Sequence, residues 1–66
     1  MKRLTTQEKL DWLILYGYTV TEGEYFNLHD KQGNTVRMHE TSAGESKAIN
    51  RFYADIKRRI DRKKKH

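Results

Sequence analysis

The sequence predicts an α+β domain with the order α-β-β-β-α, a three-stranded antiparallel meander with both helices packed on one face. Three observations carry this. Apolar residues recur at helical spacing near both ends, as Leu10, Leu13 and Ile14 and again as Ile49, Phe52, Tyr53, Ile56 and Ile60. Between them the period drops to two, in segments rich in β-branched and aromatic residues. Turn-forming residues at Glu22-Gly23 and Asp30 to Gly33 then cut that middle stretch into three short strands.

The first helix is expected over residues 6 to 16. Thr5-Thr6-Gln7-Glu8 has the form of a capping box, in which Thr5 and Glu8 satisfy each other's backbone N–H groups. Leu10, Leu13 and Ile14 mark its buried side, Trp12 and Tyr16 its flank, and Leu15 widens the apolar girth. Gly17 is suited to the left-handed residue that stops a helix. Tyr18 to Thr21 reads as the first strand. Glu22-Gly23 reads as a tight hairpin turn, with Gly23 supplying a positive φ. Glu24 to His29 is the second strand. Asp30-Lys31-Gln32-Gly33 is a type I turn closing through a bulge, and Asn34 to His39 is the third strand. Strict alternation puts Val20 (with Tyr18), Phe26, Leu28, Val36 and Met38 on one face. It puts Thr19, Thr21, Tyr25, Asn27, His29, Thr35, Arg37 and His39 on the other, wet face. Ser42-Ala43-Gly44-Glu45 is a second capping-box candidate, opening a helix over about 45 to 62.

The 66 residues make one domain, with 1–62 folded and 63–66 a basic flexible tail. A domain of this length buries only about 60% of the surface its unfolded chain exposes. There is no Cys, so no disulfide helps it, and the three His have no metal-ligand spacing. Packing, a partner or a second copy (a homodimer) must supply the stability, and no cofactor is expected. No apolar run approaches the roughly 20 residues a membrane span needs, and no signal-peptide core follows Met1-Lys2-Arg3. The expectation is a soluble, cytoplasmic protein.

The formal charge of +5 is unevenly spread. Residues 47 to 66 hold nine Lys/Arg against two Asp, while residues 1 to 46 hold five against seven Asp/Glu. A basic end of this kind attracts polyanions, nucleic acid first and then an acidic protein surface. Lys47, Arg51, Arg58 and Arg62 form a stripe on the last helix away from its apolar side. With Arg59 and with Arg37 of the third strand, they are the candidate nucleic-acid-binding residues. Trp12, Tyr16, Tyr25 and His29 are candidate partner-binding residues, being types that anchor interfaces or sit on the wet face.

Catalysis is not expected. His29 and His39 could form an acid–base pair with Tyr25 and Arg37 on the wet face, a conceivable phosphodiester-cleaving cluster. Two histidines on a polar strand face are the simpler reading. No paired carboxylates and no phosphate-cradling glycine loop accompany them.

The element order resembles the double-stranded-RNA-binding fold and its compact version in the HicA-type toxins, small ribonucleases of toxin–antitoxin modules. The resemblance covers about residues 8 to 62. It rests on Leu13-Ile14-Leu15-Tyr16-Gly17-Tyr18, on Gly23, on the Asp30 to Gly33 turn and on Val36-Arg37-Met38-His39. It implies the topology. Those toxins carry a catalytic His in a Gly-Ser-His-His stretch, where this chain reads Gly23-Glu24-Tyr25-Phe26. The Lys-rich signature of the RNA-binding family is represented only by Lys47 and Arg51. The functional expectation is therefore a small non-enzymatic nucleic-acid-binding protein contacting phosphates through its basic C-terminal helix. The alternative is a small phage-type inhibitor or adaptor that grips a host protein, as a counter-defence protein does.

Overall fold

The computed structural model describes residues 3–64, with Lys64 described by its backbone alone. The elements run α1 (Thr6–Leu15), β1 (Thr19–Glu22), β2 (Tyr25–His29), β3 (Thr35–Glu40), a single 3-10 turn (Thr41–Ala43) and α2 (Glu45–Lys64). The strands form one antiparallel sheet in the order β1-β2-β3. This is the α-β-β-β-α arrangement that the periodicity predicts.

Both ends of α1 follow from local chemistry. The Glu8 N–H donates to the Thr5 hydroxyl at 3.2 Å, and the Thr5 N–H donates to Glu8 Oε1 at 2.8 Å, so the capping box is complete. At the far end Gly17 has φ +90°. Its N–H donates to the Ile14 carbonyl at 3.0 Å, and the Tyr18 N–H donates to the Leu13 carbonyl at 2.9 Å. This paired closure turns Tyr18 back over Leu13, the hydrophobic contact that accompanies such an ending.

The turn between β2 and β3 is built on Asp30. Its carboxylate accepts from the N–H groups of Gln32 and Asn34, both at 2.9 Å, and Gly33 takes φ +86°. The turn between β1 and β2 departs from expectation. Gly23 is not in the left-handed region, and the reversal lies at Gly23-Glu24. A long-range contact fastens it instead: the Thr41 hydroxyl sits 3.0 Å from the Gly23 carbonyl oxygen and 2.7 Å from that of Glu24.

The main correction concerns β3. His29 pairs with Thr35, but Leu28 pairs with Arg37, so Val36 is an extra residue in a bulge. Val36 and Arg37 together oppose Leu28, and every later residue of the strand is turned to the other face. Phe26 then faces His39, and Asn27 faces Met38. Arg37 and His39, expected on the wet face, lie on the helix side. Met38, expected in the core, is 59% exposed.

The second capping box does not form. Ser42 lies in the 3-10 turn, with its hydroxyl 3.4 Å from the Glu40 carboxylate. Gly44, at φ +93°, gives its carbonyl to the Ala48 N–H at 3.1 Å and so occupies the N-cap position. At its other end α2 continues to Lys64, past the expected stop at 62. Lys63 and Lys64 are helical rather than part of a tail. Lysine is a good helix former, and cations suit the negative end of the helix dipole. The remaining tail positions, Lys65 and His66, lie outside the described residues.

The core forms where both helices meet the sheet. Leu13, Phe26, Leu28, Ala48, Phe52 and Ile56 make one buried cluster, Ile49 is buried as well, and Trp12, Tyr18, Val20, Val36 and Ile60 pack around it. From α1 only Leu13 is fully buried. Ile14, expected inside, is 56% exposed, and Leu15 is 79% exposed. The short α1 leans on α2 as well as the sheet, through Trp12 against Tyr53, which leaves Ile14 outside the arc it buries.

Candidate nucleic-acid interface

The apolar stripe of α2 is consumed by the core, so its opposite side faces outward. Lys47, Arg51, Arg58 and Arg62 are all exposed there. Fifteen residues separate the first from the last, about 22 Å of helix at ~1.5 Å rise per residue. The predicted stripe is therefore accessible, in two pairs separated by about two turns at Ala54.

The bulge in β3 adds to it. Arg37, turned to the helix side, places its Nε 3.0 Å from Asp55 Oδ2. The two side chains are 49% and 23% exposed, which makes this a partly solvated pair of small net stabilisation. The contact is close but off-line, since Asp55 Oδ2 accepts no properly directed hydrogen bond. Arg37, Asp55, Arg58, Arg59 and Arg62 together line an open cleft of about 220 Å³. Four guanidinium groups there face one carboxylate. Among the described residues Arg37–Asp55 is the one Lys/Arg–carboxylate ion pair.

Three further hollows lie beside α2. Toward its C-terminal end, Arg59, Arg62 and Lys63 line one hollow with Tyr18 and Ile60, and Lys63 lines another with Lys31, Asp30 and Tyr16. The stem of Lys31 crosses Gly17 closely enough that a Cβ there would collide with it. Toward its N-terminal end, Lys47, Arg51 and Asn50 sit with His39 and Ala43 around a hollow of about 380 Å³. The His39 ring packs 5.3 Å from Phe52, and its Nε2 is buried without a hydrogen-bond partner.

The candidate partner-binding residues separate into two places. Trp12 and Tyr16 stack at 4.3 Å on the α1–α2 seam, and Trp12 meets Tyr53 edge-on at 4.9 Å. Lys9 and Lys57 each hold their ammonium 5.6 Å from the Tyr53 ring, a cation–π arrangement that keeps them off the arginine face. Tyr25 and His29 lie on the open sheet face. Tyr25 is 44% exposed, and the His29 Nε2 is 2.9 Å from the Thr21 hydroxyl. His29 and His39 are thus on opposite sides of the sheet, so the conceivable acid–base pair is not assembled. Among the described residues no His, Asp and Glu group could hold a metal ion, and no helix is long and apolar enough to cross a membrane.

Reasoning from spacing passed over Asp55, Lys63 and Lys31. Asp55 stands three and four residues before Arg58 and Arg59, so its place on their side of the helix was readable. The approach of Arg37 was not, because only the bulge turns it toward α2. No protein-family model, curated protein or solved structure matches the chain.

Proposed function

We propose that this is a non-enzymatic nucleic-acid-binding protein that contacts phosphates through α2, using Lys47, Arg51, Arg58, Arg59 and Arg62 together with Arg37. One observation supports the reading above the others. The outward side of a 20-residue helix carries its cations almost without internal partners, beside a cleft of four arginines and one carboxylate. Such an array is costly to keep bare and gains most from a polyanion that releases its counterions on binding. Each phosphate engaged contributes a slope of about 0.9 in log K against log salt on duplex DNA, or about 0.7 on single strands. A fluorescence anisotropy titration of labelled DNA and RNA oligonucleotides across a salt series tests this. A steep slope that flattens on Arg58→Ala and Arg62→Ala is the expected result, and absence of binding at low salt refutes it.

The second reading is an inhibitor or adaptor gripping another protein. Ile14, Leu15 and Tyr16 stand exposed in succession at the end of α1, beside Trp12. It predicts a stoichiometric protein complex that survives nuclease treatment. Loss of all captured protein after that treatment would leave the nucleic-acid reading standing alone.

A further inference from the structure

We propose that the cleft between β3 and the second half of α2 is a discrete phosphodiester anchor, and that Asp55 is its internal stand-in for phosphate. This rests on the nucleic-acid reading and locates where, along α2, the backbone is gripped.

The cleft, of about 220 Å³, is concave like the other hollows beside α2, but it differs from them in two ways. Its cations are all arginine, from two elements, with Arg37 on β3 and Arg58, Arg59 and Arg62 on α2. Guanidinium forks match tetrahedral oxyanions in pairs, which lysine ammonium groups do not. It also contains a single carboxylate, Asp55, already set against Arg37 at 3.0 Å.

That carboxylate has a clear consequence. In the free protein it draws Arg37 toward α2 and offsets one of four clustered positive charges. A phosphodiester entering the cleft competes with it for the Arg37 fork. The off-line geometry of the pair and the half-exposed Arg37 side chain leave that fork free to reorient. Removing the charge of Asp55 should therefore strengthen binding by more than an added unit of net charge explains. Replacing a cleft arginine by lysine should weaken binding although net charge is unchanged.

The test pairs variants of equal charge, read by anisotropy with a labelled mixed-sequence duplex at low salt. Asp55→Asn is compared with Asp61→Asn, which makes the same charge change on an exposed part of the same helix. Arg59→Lys is compared with Lys57→Arg, since Lys57 lies over Tyr53 and outside the cleft. Asp55→Asn is expected to tighten binding several-fold more than Asp61→Asn. Arg59→Lys is expected to loosen it about tenfold, the difference of one good charge-assisted hydrogen bond, with Lys57→Arg nearly neutral. As a readout on the unaltered protein, the Arg37 Nε–H resonance should shift when the duplex is added. Agreement within each variant pair, or an unmoved Arg37 resonance, overturns the anchor while leaving a diffuse cationic interface intact. A wild-type protein that binds no duplex or single strand overturns both.

Discussion

Gly17 is where the end of α1, the start of β1 and the β2–β3 turn come within contact. At φ +90° any side chain is strained by about 1–2 kcal/mol, and here a Cβ would also strike the Lys31 stem. Gly17→Ala should lower the unfolding free energy in urea by at least that amount. Gly17→Ala with Lys31→Ala should recover little, because the exposed Lys31 side chain can swing aside and the backbone strain remains; full recovery would show that φ costs nothing here. Asp30 holds the same turn by a different means. The Asn34 N–H bond lowers its pKa below the ordinary carboxylate value of 3.8, burial opposes this, and the Gln32 N–H bond adds to the lowering. A depressed folded-state pKa means the carboxylate stabilises the fold above the unfolded-state value and that this contribution disappears as pH falls through the folded one. The Asp30 carboxyl carbon, followed by NMR, should titrate below pH 3.8 in the folded protein, and Asp30→Asn should remove that part of the acid sensitivity of folding. A midpoint above 3.8 would contradict the turn geometry.

At the scale of elements, the bulge at Val36 decides what the third strand contributes. If alternation ran on unbroken, Met38 would be a core residue and its replacement by Thr would cost about 2–5 kcal/mol. With the extra residue in place Met38 is 59% exposed, so Met38→Thr should change stability by no more than about 0.5 kcal/mol. Phe52, fully buried at the centre of the cluster, sets the opposite standard. Phe52→Ala should cost about 3–5 kcal/mol, a large share of the about 3–10 kcal/mol total stability of a domain this size. Circular dichroism melts of both variants check this, and a destabilised Met38→Thr protein would restore the unbroken strand. Three boundaries were legible because each has a local cause: a capping box at Thr5, a left-handed stop at Gly17, an Asp–Gly turn at 30–33. The bulge was not, because a run such as Thr35-Val36-Arg37-Met38 alternates equally well with or without an inserted residue. What selects the insertion is tertiary: Leu28 accepts Val36 and Arg37 opposite it, and α2 offers Asp55 to the arginine. The same holds for Thr41, whose hold on the β1–β2 reversal spans seventeen residues and has no local sign.

At the scale of the whole molecule the basic stripe of α2 was readable, since it needs only helical spacing. The cleft was not, since it needs β3 in its true register. The resulting charge separation makes salt act in opposite directions on two properties of one protein. In the free state α2 carries a dense row of cations with a single carboxylate paired among the described residues, and their mutual repulsion opposes folding. Raising salt from about 20 mM to about 500 mM shortens the Debye length from roughly 20 Å to roughly 4 Å, less than a turn of helix. The thermal midpoint of the free protein should therefore rise along that series in sodium chloride. Over the same range affinity for an oligonucleotide should fall, because counterion release loses its advantage. The crossing of these trends excludes an explanation in which salt merely unfolds the protein and so abolishes binding. If the midpoint instead falls with salt, attraction across the molecule outweighs repulsion along α2. The acidic residues of 1–46 would then already be neutralising the helix, and the cations assigned to phosphate would be occupied within the chain.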